Sequence, residues 1–149
     1  LNPVELTVKE VPIKIETSFE KERAEPEEDN ELTIKVSNEG EEELRNVEIK
    51  PNFDELAFIH TEKNCSRTYT EMRSGDSSET KCKFYATEEA SRETELEIEI
   101  KFQDQEDETH KFREYTEIKV DTTIMPGAKT FIAIAIAAII FLMFLKTKI

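Results

Sequence analysis

Two cysteines, Cys65 and Cys82, are the residues whose type and spacing most directly imply chemistry. They flank a polar, turn-like stretch, Arg73-Ser74-Gly75-Asp76-Ser77-Ser78. Joined as a disulfide they would close a loop of about 16 residues, worth on the order of 3 kcal/mol by chain entropy. Left apart, they are two half-buried thiols. A bridge implies an oxidising compartment. Zinc chemistry is disfavoured, because neither cysteine belongs to a Cys-x-x-Cys pair and the histidines are His60 and His110 alone. Asn64-Cys65-Ser66 matches the N-glycosylation acceptor pattern, which would put Asn64 on an exposed loop of an exported domain.

Carboxylates are the other abundant chemical group, with 34 acidic against 20 basic residues and a net charge of -14. Three of the lysines, Lys129, Lys146 and Lys148, lie beside or after an apolar C-terminal run, so the part before it is more acidic still. Such a surface repels phosphate backbones and argues against nucleic-acid binding. Two acidic loops, Glu27-Glu28-Asp29 and Asp104 with Glu106, Asp107 and Glu108, offer clustered oxygens of the kind calcium prefers, although no EF-hand spacing is present. Solvated loops are the plainer reading of both. Catalytic signatures are missing: there is no Gly-x-Ser-x-Gly elbow, no phosphate-binding glycine loop and no His-Glu-x-x-His, and the glycines are Gly40, Gly75 and Gly127. The composition therefore implies a non-catalytic chain without a cofactor.

The elements that would position these groups read as strands. Leu32, Ile34 and Val36 alternate with polar residues, as do Leu96, Ile98, Ile100 and Phe102, which is the period of a strand with one buried and one wet face. Weaker alternation occurs at Val47 and Ile49, at Leu56 and Phe58, at Cys82, Phe84 and Ala86, and at Thr116, Ile118 and Val120. Near the N-terminus the phase changes between Val4, Leu6, Val8 and Val11, Ile13, Ile15, just before Pro12, as a bulge or a change of sheet would require. Turn signals separate these runs at residues 25–30, 38–41, 50–52, 74–76 and 104–108. The cadence predicts an all-β fold over residues 1–121, an Ig-like antiparallel β-sandwich of about seven strands. The absence of Trp and the short Cys65 to Cys82 separation exclude the antibody-type signature.

From Phe131 to Leu145 the chain reads FIAIAIAAIIFLMFL, without charge or polar side chain. A run apolar on all sides suits lipid better than the one-sided burial of a core helix. Fifteen helical residues rise about 22 Å, and extension upstream with Lys129 snorkelling reaches the ~20 residues that a bilayer needs. A single C-terminal transmembrane helix is expected over 129–146, after a linker at 122–128, with Phe131, Ile134, Ile139, Phe141 and Leu145 in lipid. The tail, residues 147–149, and the flanking Lys146 and Lys148 would face the cytoplasm by the positive-inside rule, leaving the acidic domain extracytoplasmic, at the cell surface or in a lumen. A tail-anchored protein with a cytosolic domain is the topological alternative.

Residues 31–50, ELTIKVSNEGEEELRNVEIK, resemble the strand, Asn-x-Gly turn, strand unit of CARDB-like domains of archaeal and bacterial surface proteins. Residues 72–84, MRSGDSSETKCKF, resemble the Gly-Asp-Ser turn before a strand in the same domains. Pro126-Gly127 ahead of the apolar run is similar to the sorting signal of archaeal surface proteins, with Ala128 where they carry Phe. The layout of acidic sandwich, one helix and basic tail is also similar to the lumenal subunits of translocon-associated complexes. These resemblances imply a membrane-anchored module that binds or scaffolds other membrane or envelope proteins, or alternatively an accessory subunit of a larger membrane complex. In the second case Ala133, Ala135, Ala137 and Ala138 would allow close helix approach. A calcium-binding surface domain is a third, more distant expectation.

Overall fold

The computed structural model describes residues 10–63 and 65–122. Eight strands form two four-stranded sheets: β1 (Ile13–Phe19), β2 (Asp29–Asn38), β3 (Leu44–Pro51), β4 (Ile59–His60), β5 (Arg67–Met72), β6 (Ser77–Ala86), β7 (Glu93–Gln103) and β8 (Thr109–Lys119). One sheet runs in the order β1-β2-β6-β4 and the other β5-β3-β7-β8, with every strand pair antiparallel. Only β1–β2 and β7–β8 are hairpins within a sheet; the other consecutive strands lie in opposite sheets.

The alternation does what its period demands. On β2 the side chains of Leu32, Ile34 and Val36 are buried, and on β7 those of Leu96, Ile98 and Ile100 are fully so. Phe84 of β6 sits across this core, stacked on Phe53 with ring centres 5.9 Å apart and edge-on to Phe19 at 6.2 Å. Phe53 comes from a single 3-10 turn, Phe53–Glu55, that fills the connection between β3 and β4.

The sequence expectation of about seven strands is corrected to eight. The extra strand is β5, whose pattern hides only Met72 fully and keeps Tyr69 half-buried, so its residues carry no apolar alternation to read. The alternation at Leu56 and Phe58 is displaced: the strand is Ile59–His60, with Ile59 buried and Phe58 exposed. Val11 also falls outside β1 and is 51% exposed, whereas Ile13 is buried. Residues 1–9 and 123–149 lie outside the described residues, so the phase change at Val4–Val8, the expected helix with Phe131, Ile134, Ile139, Phe141 and Leu145, and the flank Lys146 and Lys148 all fall there. Among the described residues no helix is long and apolar enough to cross a membrane.

The Asn-x-Gly unit is explained by one side chain. Asn38, fully buried, donates from Nδ2 to the carbonyls of Glu42 (2.8 Å) and Met72 (2.9 Å) and accepts the Gly40 N–H at Oδ1 (3.0 Å). It thereby ties the end of β2 to the end of β5 in the other sheet. Gly40 is demanded by space: a Cβ there would lie 2.7 Å from the Pro12 Cβ. Asn46 has a similar local reason, sitting with φ 49° at the register shift in the β3–β7 pairing, a left-handed conformation that Asn tolerates best among residues with a side chain.

Replacing Asn38→Ala strands the Met72 carbonyl in the interior and removes a partner from the partly buried Glu42 carbonyl and Gly40 N–H, a buried group left unsatisfied costing ~1–3 kcal/mol. The expected loss, read by urea unfolding, is about 2–4 kcal/mol. A change within about 0.5 kcal/mol, the size of an ordinary surface substitution, would show that the turn does not depend on this carboxamide.

Candidate functional site

The two acidic loops are organised differently. In the first, Asn30 accepts the Glu25 N–H at 2.9 Å and donates to the carbonyls of Glu25 and Glu28, closing the turn from inside. Glu27 accepts from the Tyr85 hydroxyl and from the Glu88 N–H, and Lys21 pairs with Glu25 at 3.0 Å and with Glu28 at 3.8 Å. Glu25 and Glu28 thus meet at the Lys21 ammonium, whereas Glu27 is directed at Tyr85 and Glu88.

The second loop, between β7 and β8, converges. Asp104, Glu108 and His110 bring one ligand atom each within 4.8 Å of one another. His110 Nε2 lies 2.6 Å from Asp104 Oδ2, and Asp104 Oδ1 accepts the N–H groups of Glu106 (2.9 Å) and Glu108 (3.0 Å). The imidazole stacks on Phe102 at 5.1 Å between ring centres. Asp107, with φ 63°, turns away to pair with Arg45 at 2.9 Å, and the same guanidinium donates to the carbonyls of Asp104 and Gln105. One nitrogen and two carboxylates form a donor set for a borderline divalent cation such as zinc rather than for calcium, which takes oxygen ligands only. Any such ion would displace the His110–Asp104 hydrogen bond, and Asp104 already serves as the brace of the turn. His110 is the second residue of β8, aimed back across the turn.

Cys65 and Cys82 are brought together from elements that the spacing does not connect. Cys82 lies mid-strand on β6, paired with Leu32 of β2 and fully buried. Cys65 lies in the crossover from β4 in one sheet to β5 in the other. Both are free thiols in this structure, and they share a hydrogen bond. The Cys82 thiol donates to Cys65, and this bond, helped by Thr61 and by the positive charge of Arg67, brings the Cys65 thiol down to about 7. Holding that proton, together with burial, pushes Cys82 far up. Thr61 Oγ1 lies 3.6 Å from Cys65 Sγ and 2.9 Å from the Lys83 carbonyl, fixing the crossover to β6. Asn64, the expected glycosylation position, lies outside the described residues.

A cavity of about 540 Å³ opens at the end of the sandwich where β2 and β7 finish and β1 and β8 begin. Leu44, Phe102 and Phe112 form its apolar floor, and Val11 and Pro12 one wall. The volume lies in the range of ligand-binding clefts. No signal in the sequence marks it, because its lining comes from segments far apart in the chain.

No family model matches this chain, and no curated protein matches it either. Solved structures do. The ASH / PapD-like domain 7 of human CEP192 aligns with a TM-score of 0.50 at 11% identity, covering 81% of this chain and 94% of that one. A cohesin module of a Clostridium perfringens family 33 glycoside hydrolase gives 0.46 at 11% identity over 72% of this chain and 96% of that one. A FixG-related protein of Vibrio parahaemolyticus gives 0.42 at 14% identity over 74% and 98%. The class is therefore an Ig-like, PapD-like β-sandwich. At these identities the likeness concerns the fold alone.

Two measurements test this geometry. The His110 hydrogen bond, followed by the two backbone N–H groups, holds the Asp104 carboxyl below the usual carboxylate range. A depressed carboxylate stabilises the fold fully above its unfolded value of about 3.9 and stops doing so as pH falls through the folded value. Asp104→Asn should therefore lower stability at neutral pH and flatten its decline below about pH 4; an unchanged acid limb would exclude the brace. For the thiols, alkylation followed by mass spectrometry should modify Cys65 first, with a midpoint near 7. Cys82→Ala, which removes the donor, should move that midpoint up towards the ordinary thiol value of about 8.5. Equal rates at both thiols would mean that the donor relation is absent.

Proposed function

We propose that this chain is a single-pass, membrane-anchored module that presents an Ig-like sandwich outside the cytoplasm and binds other proteins there. The observation that carries the reading is a charged, two-sheet sandwich followed by the uncharged run Phe131–Leu145 and the basic end Lys146 and Lys148. A lipid-solvated run of that kind with lysines after it favours an exported domain. The CARDB-like resemblance of residues 31–50 supports a surface or envelope setting, since both of its asparagines have structural roles in this fold.

The reading is non-catalytic and without a cofactor. His60 ends β4 opposite Tyr85, whereas His110 pairs with Phe102 in register, so the two histidines stand at opposite ends of the sandwich. No arrangement of base and nucleophile is built from them. Protein binding draws support from the fold, whose strand edges and end loops offer surfaces for partners. The accessory-subunit alternative rests on Ala133, Ala135, Ala137 and Ala138, small residues suited to lateral packing against other helices.

Treatment of intact cells with protease should remove the acidic domain while sparing the C-terminal peptide. Purification in mild detergent with mass spectrometry should then recover stoichiometric protein partners; polytopic subunits would favour the accessory role. A domain fully protected until the cells are lysed would defeat the topology, and a chain recovered alone would defeat the binding reading.

A further inference from the structure

The charge around the end cavity is unevenly balanced. Glu10, Glu41, Glu42 and Glu106 are all exposed at its rim, and none of the four forms an ion pair among the described residues. Among the described residues the one lysine in the lining, Lys111, is already paired with Glu99 at 3.0 Å, and His110 is held by Asp104. Beneath the carboxylates lies the apolar floor of Leu44, Phe102 and Phe112. Val11, one of the few exposed large apolar residues described, stands at the mouth.

Both walls are held before anything binds. On one side the Pro12 carbonyl accepts the Glu39 N–H at 2.8 Å, Pro12 abuts Gly40, and Ser74 Oγ donates to the Gly40 carbonyl at 2.6 Å. On the other the Arg45 guanidinium and the Asp104–His110 pair fix the turn between β7 and β8. A preformed cleft loses little conformational entropy on binding, so its contacts convert more fully into affinity.

We propose that this cleft is the docking site for a segment of partner polypeptide in which lysine or arginine stands beside an apolar side chain. The inference rests on the protein-binding reading above and names the chemistry of its partner. Apolar atoms of the segment would cover the exposed part of Phe112 and Val11, while its cations meet Glu41, Glu42, Glu10 and Glu106. A nucleic acid or an acidic peptide would face uncompensated like charge. The volume admits a few side chains, which fits a peptide segment rather than a folded surface inserting as a whole.

The test uses the full chain in a non-ionic detergent and fluorescein-labelled decapeptides of alternating Lys and Leu, Lys and Ser, or Glu and Leu, read by anisotropy. The Lys-Leu peptide should bind, with affinity falling at least about tenfold between 50 and 500 mM salt, as partly screened charges require. Both other peptides should bind at least about tenfold more weakly, having lost the apolar or the ionic half of the contact. Val11→Asp and the pair Glu41→Lys with Glu42→Lys should each reduce binding by at least about tenfold. Glu88→Lys with Glu89→Lys, the same charge change at the opposite end of the sandwich, should not. Thermal midpoints near that of the unmodified chain confirm that the variants fold.

Equal loss in both charge-reversed pairs would reduce the effect to overall charge and overturn the site. So would unchanged binding by Val11→Asp, self-association that competes with the peptide, or binding that appears only once residues 1–9 are deleted, which would make the chain's own N-terminal segment the occupant. If native partners are still recovered with these variants, the cleft is wrong while the binding reading stands; if none is recovered with the unmodified chain, the reading itself fails.

Discussion

The burial of one face of β7 governs the rest of this molecule. Leu96, Ile98 and Ile100 have no exposed surface, and the strand that carries them is paired along its length with β8 and over part of it with β3. A slip of one residue would turn Glu97 and Glu99 inward and send the apolar residues to solvent, so the register is fixed by hydrophobic burial rather than by any single bond. Fixing β7 also fixes where it ends. Gln103 closes the strand, and the turn that follows must place Asp104, Gln105 and Asp107 where Arg45 of β3 can hold them. The local chemistry at that end is therefore a consequence of packing at the centre.

At the strand junctions the problem changes from burying apolar surface to satisfying backbone groups that leave the ladder. Two buried asparagines solve it in the same manner, and a third ties a strand end to a neighbouring side chain. Asn30 closes the turn into β2, Asn38 the turn out of it, and Asn52, just after β3, donates to Glu97 at 3.0 Å. A carboxamide both donates and accepts without a charge, so it can be buried where a carboxylate would require a counterion. Asp104 performs the equivalent task where the turn is half-exposed, and there the ionised group takes two N–H bonds and an imidazole at once. The other side of the sandwich is sealed by Thr17 and Thr116, whose hydroxyls meet at 2.8 Å, and by the parallel bridge from Ala24 to Val120.

Strands with a strong apolar alternation, β2, β6, β7 and the later part of β8, are legible in the sequence because burial on one face writes a period of two. Those without it are not. β5 is an edge strand whose side chains face water on both sides for most of its length, and β4 is two residues long, too short for any period. The turns were legible from Gly75, Asn38 and Asp104, each of which has a backbone reason to be there. The nearness of Cys65 to Cys82 was inferred from a loop that would close between them. In fact they meet because a crossover between sheets passes over β6, an arrangement that spacing along the chain does not encode. The end cavity escapes sequence reading for the same reason, since Val11, Gly40, Phe102 and Phe112 become neighbours only through topology.

Part of the charge on this surface is spent on its own neighbours. Glu31 meets Lys81 at 2.8 Å between β2 and β6, while Glu99 meets Lys111 and Glu97 meets Arg113 between β7 and β8. Exposed pairs of this sort contribute ~0–1 kcal/mol each, so they cannot be what holds the sheets together. Their effect is on association: charged side chains along strand faces and edges discourage sheet-to-sheet pairing with other copies. Around the end cavity Glu10, Glu41, Glu42 and Glu106 form no ion pair among the described residues and adjoin apolar surface instead. Charge that is neutralised within a sheet keeps other chains away, whereas charge left over beside an apolar floor selects among them by sign.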